Sequence, residues 1–287
     1  ESVSGSCSPK DFETMMQLTY LTFTAPRRDD DAFASYKNRN KAALKNQELN
    51  PNVAFSDSIQ AGIYMKHPRI IRIKADMVDQ MDYDKILSMY QDRFKDASDF
   101  TFIFVGNVDV EKMKPVIAEY LGALPAVNRK ETFKDNKIEM RQGIYKNEFT
   151  KQQETPKASV FAFYNGDCKY DLRNNLLLSM TSQILDLVYT EKVREDEGGT
   201  YGVYVGGTLQ KYPKEKAILQ IIFDTAPEKK EKLMKIIFGE IDNITKTGPS
   251  EANLNKVKEY MLKKHTEDLL LAGKYRRILI YRHEPHE

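Results

Sequence analysis

The chain has 287 residues, 44 basic against 42 acidic, and 41% of them are hydrophobic. That is enough apolar material for one large or two ordinary domains, and it excludes a disordered chain. The net charge of +2 gives no electrostatic case for nucleic acid or an anionic membrane, and no apolar run nears the roughly 18 residues of a spanning helix.

In chain order, Ser8-Pro9-Lys10-Asp11 predicts a helix start. Met15, Leu18, Leu21 and Thr22 then recur at helical spacing, and Pro26 ends the helix. A second helix is predicted through Phe33, Tyr36 and Leu44, with Asp29, Asp30 and Asp31 favourable at its start. Asn50-Pro51-Asn52 is a break, followed by helical segments over 55–65 and 82–94. The period then changes. Phe100-Thr101-Phe102-Ile103-Phe104-Val105-Gly106 is a β-rich apolar run and reads as a buried strand. A helix over 110–121 follows and is closed by Pro125, and 126–146 is polar and linker-like.

The second part is expected to open with strands near 147–153 and 158–164, with Asn165-Gly166 as a turn. A long helix carrying Leu177, Met180, Ile184, Leu187 and Val188 runs to about Arg194 and ends at Glu197-Gly198-Gly199. Two strands, 201–210 and 217–224, follow. Pro227 opens a helix with the stripe Leu233, Ile236, Ile237, Ile241 and Ile244; Gly248 ends it and Ser250 caps the next. Both parts carry a helix opened at a Pro and a helix pair, a faint internal echo. The expected class is α/β, in the α+β layered sense, with helices packed on a sheet.

Few residues offer chemistry. Cys7 and Cys168 are too few for a disulfide framework and read as unpaired thiols. His67 lies in a loop and His265 on a polar helix face. His283-Glu284-Pro285-His286-Glu287 fails both zinc motifs, because position 287 is Glu and Pro285 disrupts the helical turn. No Gly-x-Ser-x-Gly elbow or phosphate loop occurs, and the glycines of 202–207 suit a strand that another backbone approaches closely. Glu1 to Ser6 lack an initiator Met and a targeting pattern, which reads as an internal cut.

One stretch is more specific. Lys192-Val193-Arg194-Glu195-Asp196-Glu197-Gly198-Gly199-Thr200-Tyr201-Gly202-Val203 resembles the C-terminal half of pitrilysin/insulinase-type metallopeptidases. There a long helix ends in Arg, and Tyr-Gly opens a strand seven positions after that Arg, as with Arg194 and Tyr201 here. The runs 104–109, 121–125 and 151–158 are similar to the close of one family domain and the opening of the next. The resemblance, strongest to long-chain bacterial zinc proteases, implies LuxS/pitrilysin-like domains. It divides the chain into 1–127, the back of one domain; 128–146, a linker; and 147–287, the front of the next.

The same resemblance implies a non-zinc half, with no catalytic or metal-binding residue of its own and zinc held in the N-terminal catalytic half. Arg194 and Tyr201 would then contact a peptide or unfolded polypeptide substrate, and Gly198, Gly199 and Gly202 would serve the turn between helix and strand. A hydrogen-bonding Tyr hydroxyl and an Arg guanidinium suit negative charge developing on a carbonyl oxygen. A periplasmic or envelope location is favoured for the parent. Two other readings differ in class: a non-catalytic scaffold or peptide-binding module of the same family, and a dinucleotide-binding protein. The absent Gly-x-Gly-x-x-Gly after a first strand argues against the last.

Overall fold

Local signals set most helix boundaries in the computed structural model, which describes residues 2–195 and 202–269 and the side chains of all of these but 194 and 195. Asp29, Asp82 and Asp109 each accept a bond from the N–H three residues on, at 2.9, 3.0 and 3.2 Å. They start α2 (Asp30–Glu48), α4 (Tyr83–Phe94) and α5 (Val110–Tyr120). Such caps satisfy donors that the first turn leaves orphaned. Pro9 opens a short 3-10 turn before α1 (Phe12–Thr24). Asn50-Pro51 is less a break than a start: Asn50 caps and Pro51 opens α3 (Pro51–Ile63).

The described residues fall into two compact units. One comprises those of Glu1–Leu49, Ile73–Lys134 and Thr266–Glu287; the other, Asn50–Arg72 and Asp135–His265.

The first unit is held by aromatic packing. Phe23 meets Phe94 and Phe100 edge to face, with ring centroids 5.1 and 4.9 Å apart. Leu124, Tyr20 and Tyr90 complete the cluster. Phe33 of α2 stacks on Tyr83 at 4.2 Å, and the Tyr83 hydroxyl accepts the Asp29 N–H at 3.0 Å. Two expectations change here. The buried face of α1 is Phe12, Met16 and Phe23, whereas Leu18 and Leu21 are 61% and 49% exposed. The run 100–106 is not a strand, because no ladder partner exists among the described residues of this unit. Its rings pack on α1 instead, Phe104 against Phe12 at 5.7 Å.

One polar group is deeply buried in this unit. Asp96, 1% exposed, accepts bonds from the Ser98 hydroxyl (2.7 Å) and from the N–H groups of Ser98 (3.0 Å), Val127 (3.0 Å) and Arg129 (2.6 Å). These bonds hold its carboxyl far below the usual carboxylate range, the Ser98 hydroxyl contributing most, against the opposing effect of burial. They tie the stretch after α4 to the chain beyond Pro125.

The second unit is built on a three-stranded antiparallel sheet of order β1-β3-β2: β1 (Ala158–Asp167), β2 (Val203–Gln210) and β3 (Lys216–Thr225). The layered α/β expectation holds, as a helix-dominated chain with a small sheet. The register places Val160, Phe223 and Val203 in one row and Ala162, Ile221 and Val205 in the next. Those rows pack with α6 (Leu172–Tyr189) and α7 (Lys230–Thr247) in one apolar core. α8 (Glu251–Asp268) adds Val257 against Ile184 and Val188 of α6. Gly248, with φ of 75°, ends α7, and the Ser250 hydroxyl caps α8 through the Asn253 N–H at 3.2 Å.

Three further expectations are corrected. No strand forms near 147–153. Asn165-Gly166 lies inside β1, because the ladder with β3 continues to the pair Asp167 and Lys216. Leu177 and Leu187 are exposed, and the buried face of α6 is Ser182, Ile184, Leu185, Val188 and Tyr189. The stretch before β1 is anchored at Arg141, whose N–H donates to Ile63 O (2.7 Å) and whose Nε donates to Gly62 O (2.8 Å).

Candidate functional site

The i, i+4 row Leu185, Tyr189, Val193 carries burial from α6 into the chain beyond it. After Tyr189 the winding widens to a π-helical turn over Thr190–Glu195. Such turns are rare and occur disproportionately at functional sites. Tyr189 and Val193 are both 0% exposed. The Tyr189 hydroxyl donates to Ile237 O of α7 at 2.9 Å, and burial pushes its pKa up. Beside it, Lys192 Nζ pairs with Glu240 Oε1 of α7 at 2.6 Å, the Glu240 side chain being only 16% exposed.

Val203 opens β2 as another buried member of the same core. Val193 and Val203 thus belong to one apolar cluster. Arg194 lies in the closing half of the π turn, one residue beyond buried Val193. Its side chain, and Tyr201 altogether, lie outside what is described, as do Gly198 and Gly199. An added Cβ at Gly202 would meet nothing within 4 Å. Gly207 answers the close-approach expectation: a Cβ there would come within 2.4 Å of Ser182 Oγ and 2.9 Å of Leu178 Cγ. That contact lets α6 lie against β2.

Sequence reasoning missed the Lys192–Glu240 pair and the π turn. The partners are separated by 48 positions, and nothing local marks them.

A cleft of about 460 Å³ lies elsewhere in this unit, lined by Asp57, Ser58, Lys66, Arg141, Tyr145 and Asn147 among others. Its polar groups largely hold one another. Asn147 donates to Ser58 Oγ at 2.7 Å, Asp57 pairs with Arg72 at 3.0 Å, and the Arg141 guanidinium lies 4.1 Å from the Tyr145 ring centroid.

Metal chemistry finds no ligand set in these residues. Among the described residues no group of three or more His, Cys, Asp or Glu is placed to hold an ion. His67 Nδ1 accepts the Arg69 N–H at 3.2 Å, and His265 is exposed on α8. His283 and His286 lie outside the described residues. Cys7 and Cys168 are free thiols. No helix among the described residues is long and apolar enough to cross a membrane.

Residues 80–261 match the family described as the peptidase M16 inactive domain. The chain is 21% identical over 270 residues to the "Probable zinc protease PqqL" of Haemophilus influenzae, covering 93% of this chain and 28% of that protein. It thus spans little more than a quarter of that relative's length. Among solved structures it is similar in fold to the periplasmic protease PqqL from Escherichia coli, with a TM-score of 0.79, 20% identity, and coverage of 95% of this chain and 30% of that one. It also fits the first half of the same protease, with a TM-score of 0.64, 13% identity, and coverage of 92% and 57%.

Proposed function

Because the chain belongs to the peptidase M16 inactive-domain family, we propose that it is part of the non-zinc half of a zinc metalloendopeptidase. In this reading it forms chamber wall and presents Arg194 and Tyr201 to a bound peptide or unfolded polypeptide. The observation that carries the proposal is the bracketing of 194–202 between Val193 and Val203, both rooted in one buried core. Donors held in place before the reaction are what stabilising a developing charge requires.

Zinc, supplied by the N-terminal catalytic half, would activate the attacking water. Among the described residues no zinc ligand set is placed, and the part proposed for Arg194 and Tyr201 is to donate hydrogen bonds. A guanidinium is a permanent fork of donors and a tyrosine hydroxyl a neutral one. Within this scheme residues 1–127 are the back part of one pitrilysin-like domain, 128–146 a linker and 147–287 the front of the next. The fit to both the whole PqqL and its first half supports a parent built from similar halves. The periplasmic description of the E. coli protease favours the periplasm or envelope for the parent.

The test is turnover of an unstructured peptide by the full-length protein carrying Arg194→Ala or Tyr201→Phe. Each variant is expected to lose at least about tenfold in kcat with zinc content unchanged, since removing one such donor commonly costs 10²–10³-fold. Wild-type kcat in both variants would instead support a scaffold role.

A further inference from the structure

We propose that Lys192 and Glu240 are positioning residues: their ion pair, with the Tyr189–Ile237 hydrogen bond, holds the π turn in the winding that sets the backbone at Arg194. This inference rests on the proposed role of Arg194 and adds the device that directs it.

The contacts form two rungs. Tyr189 donates to the carbonyl of Ile237, and Lys192 pairs with Glu240. Three positions separate the rungs on each segment, so on α7 both partners fall on one face. The first rung is fully buried, and the second is protected on its acidic side. Just beyond the second rung, Val193 is buried in the core. A π turn is intrinsically less favourable than α-helix and persists where its surroundings over-determine it. Here a hydrogen bond from the last residue of α6, and an ion pair and a buried valine within the turn, act together.

The consequence concerns direction. A π turn accommodates one extra residue per turn, and each α-helical residue rotates the chain by about 100°. Relaxation of 190–195 to α winding would therefore turn the backbone at position 194 by about that angle relative to α6. Misplacement of a positioned group by about 1 Å can cost 10²-fold in rate, so a rotation of this size should be felt in the chemical step. Lys192 itself is half-exposed, and removing its charge leaves the buried core intact.

The experiment measures kcat and KM of the full-length protein on an unstructured fluorophore–quencher peptide. The variants are Lys192→Met, Arg194→Ala, the two combined, and the charge swap Lys192→Glu with Glu240→Lys. Lys192→Met is expected to lower kcat about tenfold, with KM and the thermal midpoint nearly unchanged. The charge swap is expected to recover most of the lost kcat. In the Arg194→Ala background, Lys192→Met is expected to add little, because the group it aims is gone. Wild-type kcat in Lys192→Met, or losses that multiply in the combined variant, overturn the positioning role while leaving Arg194 in place. Wild-type kcat in Arg194→Ala overturns the site reading itself, and the inference with it.

Discussion

The two units solve the burial problem in different ways. Around the sheet, β1, β3, α6 and α7 enclose aliphatic side chains and Tyr189, and Leu185, Ile221, Leu233 and Ile237 are almost wholly inaccessible. The other unit has no strand among its described residues; Phe23, Phe94 and Phe100 pack edge to face, and a buried carboxylate ties the chain beyond α4 to the chain beyond Pro125. The first arrangement is directional, since a register and two helices fix what emerges from it. The second is a cluster closed by a polar latch. The proposed site grows out of the directional core.

The largest expected effect tests that core. Ile237→Ala removes a fully buried side chain that packs with Tyr189 and Leu233, and should destabilise by about 2–5 kcal/mol in chemical denaturation. A loss below about 1 kcal/mol would mean that the core collapses easily around the hole, which weakens its claim to aim anything.

The latch of the other unit responds to pH, and its sign follows from the depressed pKa of Asp96. A carboxylate held below its ordinary value stabilises the fold fully above the unfolded-state value of about 3.9. That contribution is lost as pH falls towards the folded-state value. Asp96→Asn should therefore lower the denaturation midpoint at about pH 7, and the gap from wild type should narrow at about pH 3. An equal gap at both would show that the charge of Asp96 is not what closes the loop.

The smallest effects compare two glycines, Gly202 just before β2 and Gly207 within it. Gly207→Ala drives a methyl into Ser182 and the backbone of α6, and should cost about 1–3 kcal/mol. Gly202→Ala meets open space and should stay within about 0.5 kcal/mol. Equal stabilities, measured by thermal denaturation, would remove the close α6–β2 approach from the account.

What could be read from sequence follows the same division. The helices through Phe33, over 82–94 and over 110–121 were legible from helical spacing and, for the first, from the acidic residues Asp29 to Asp31; the structure adds a capping bond at each start, closed within three residues. Strandhood of 100–106 was misjudged because composition permits a strand and only a neighbour makes one. For the same reason Asn165-Gly166 looked like a turn: the ladder that keeps it extended is with Ile218 and Ala217, far along the chain. The buried faces of α1 and α6 were only partly legible, since which apolar residue turns inward depends on the partner packed there. The role proposed for Arg194 and Tyr201 comes from the family resemblance and not from the fold. The Lys192–Glu240 pair was not legible, because two exposed-looking charges carry no mark of their partnership.

The measurement closest to the central claim is turnover by the full-length protein carrying Tyr201→Phe, with zinc content determined on the same sample. The account predicts at least about a tenfold fall in kcat at unchanged zinc, because only one hydroxyl donor has been removed. Wild-type turnover in that variant would contradict it.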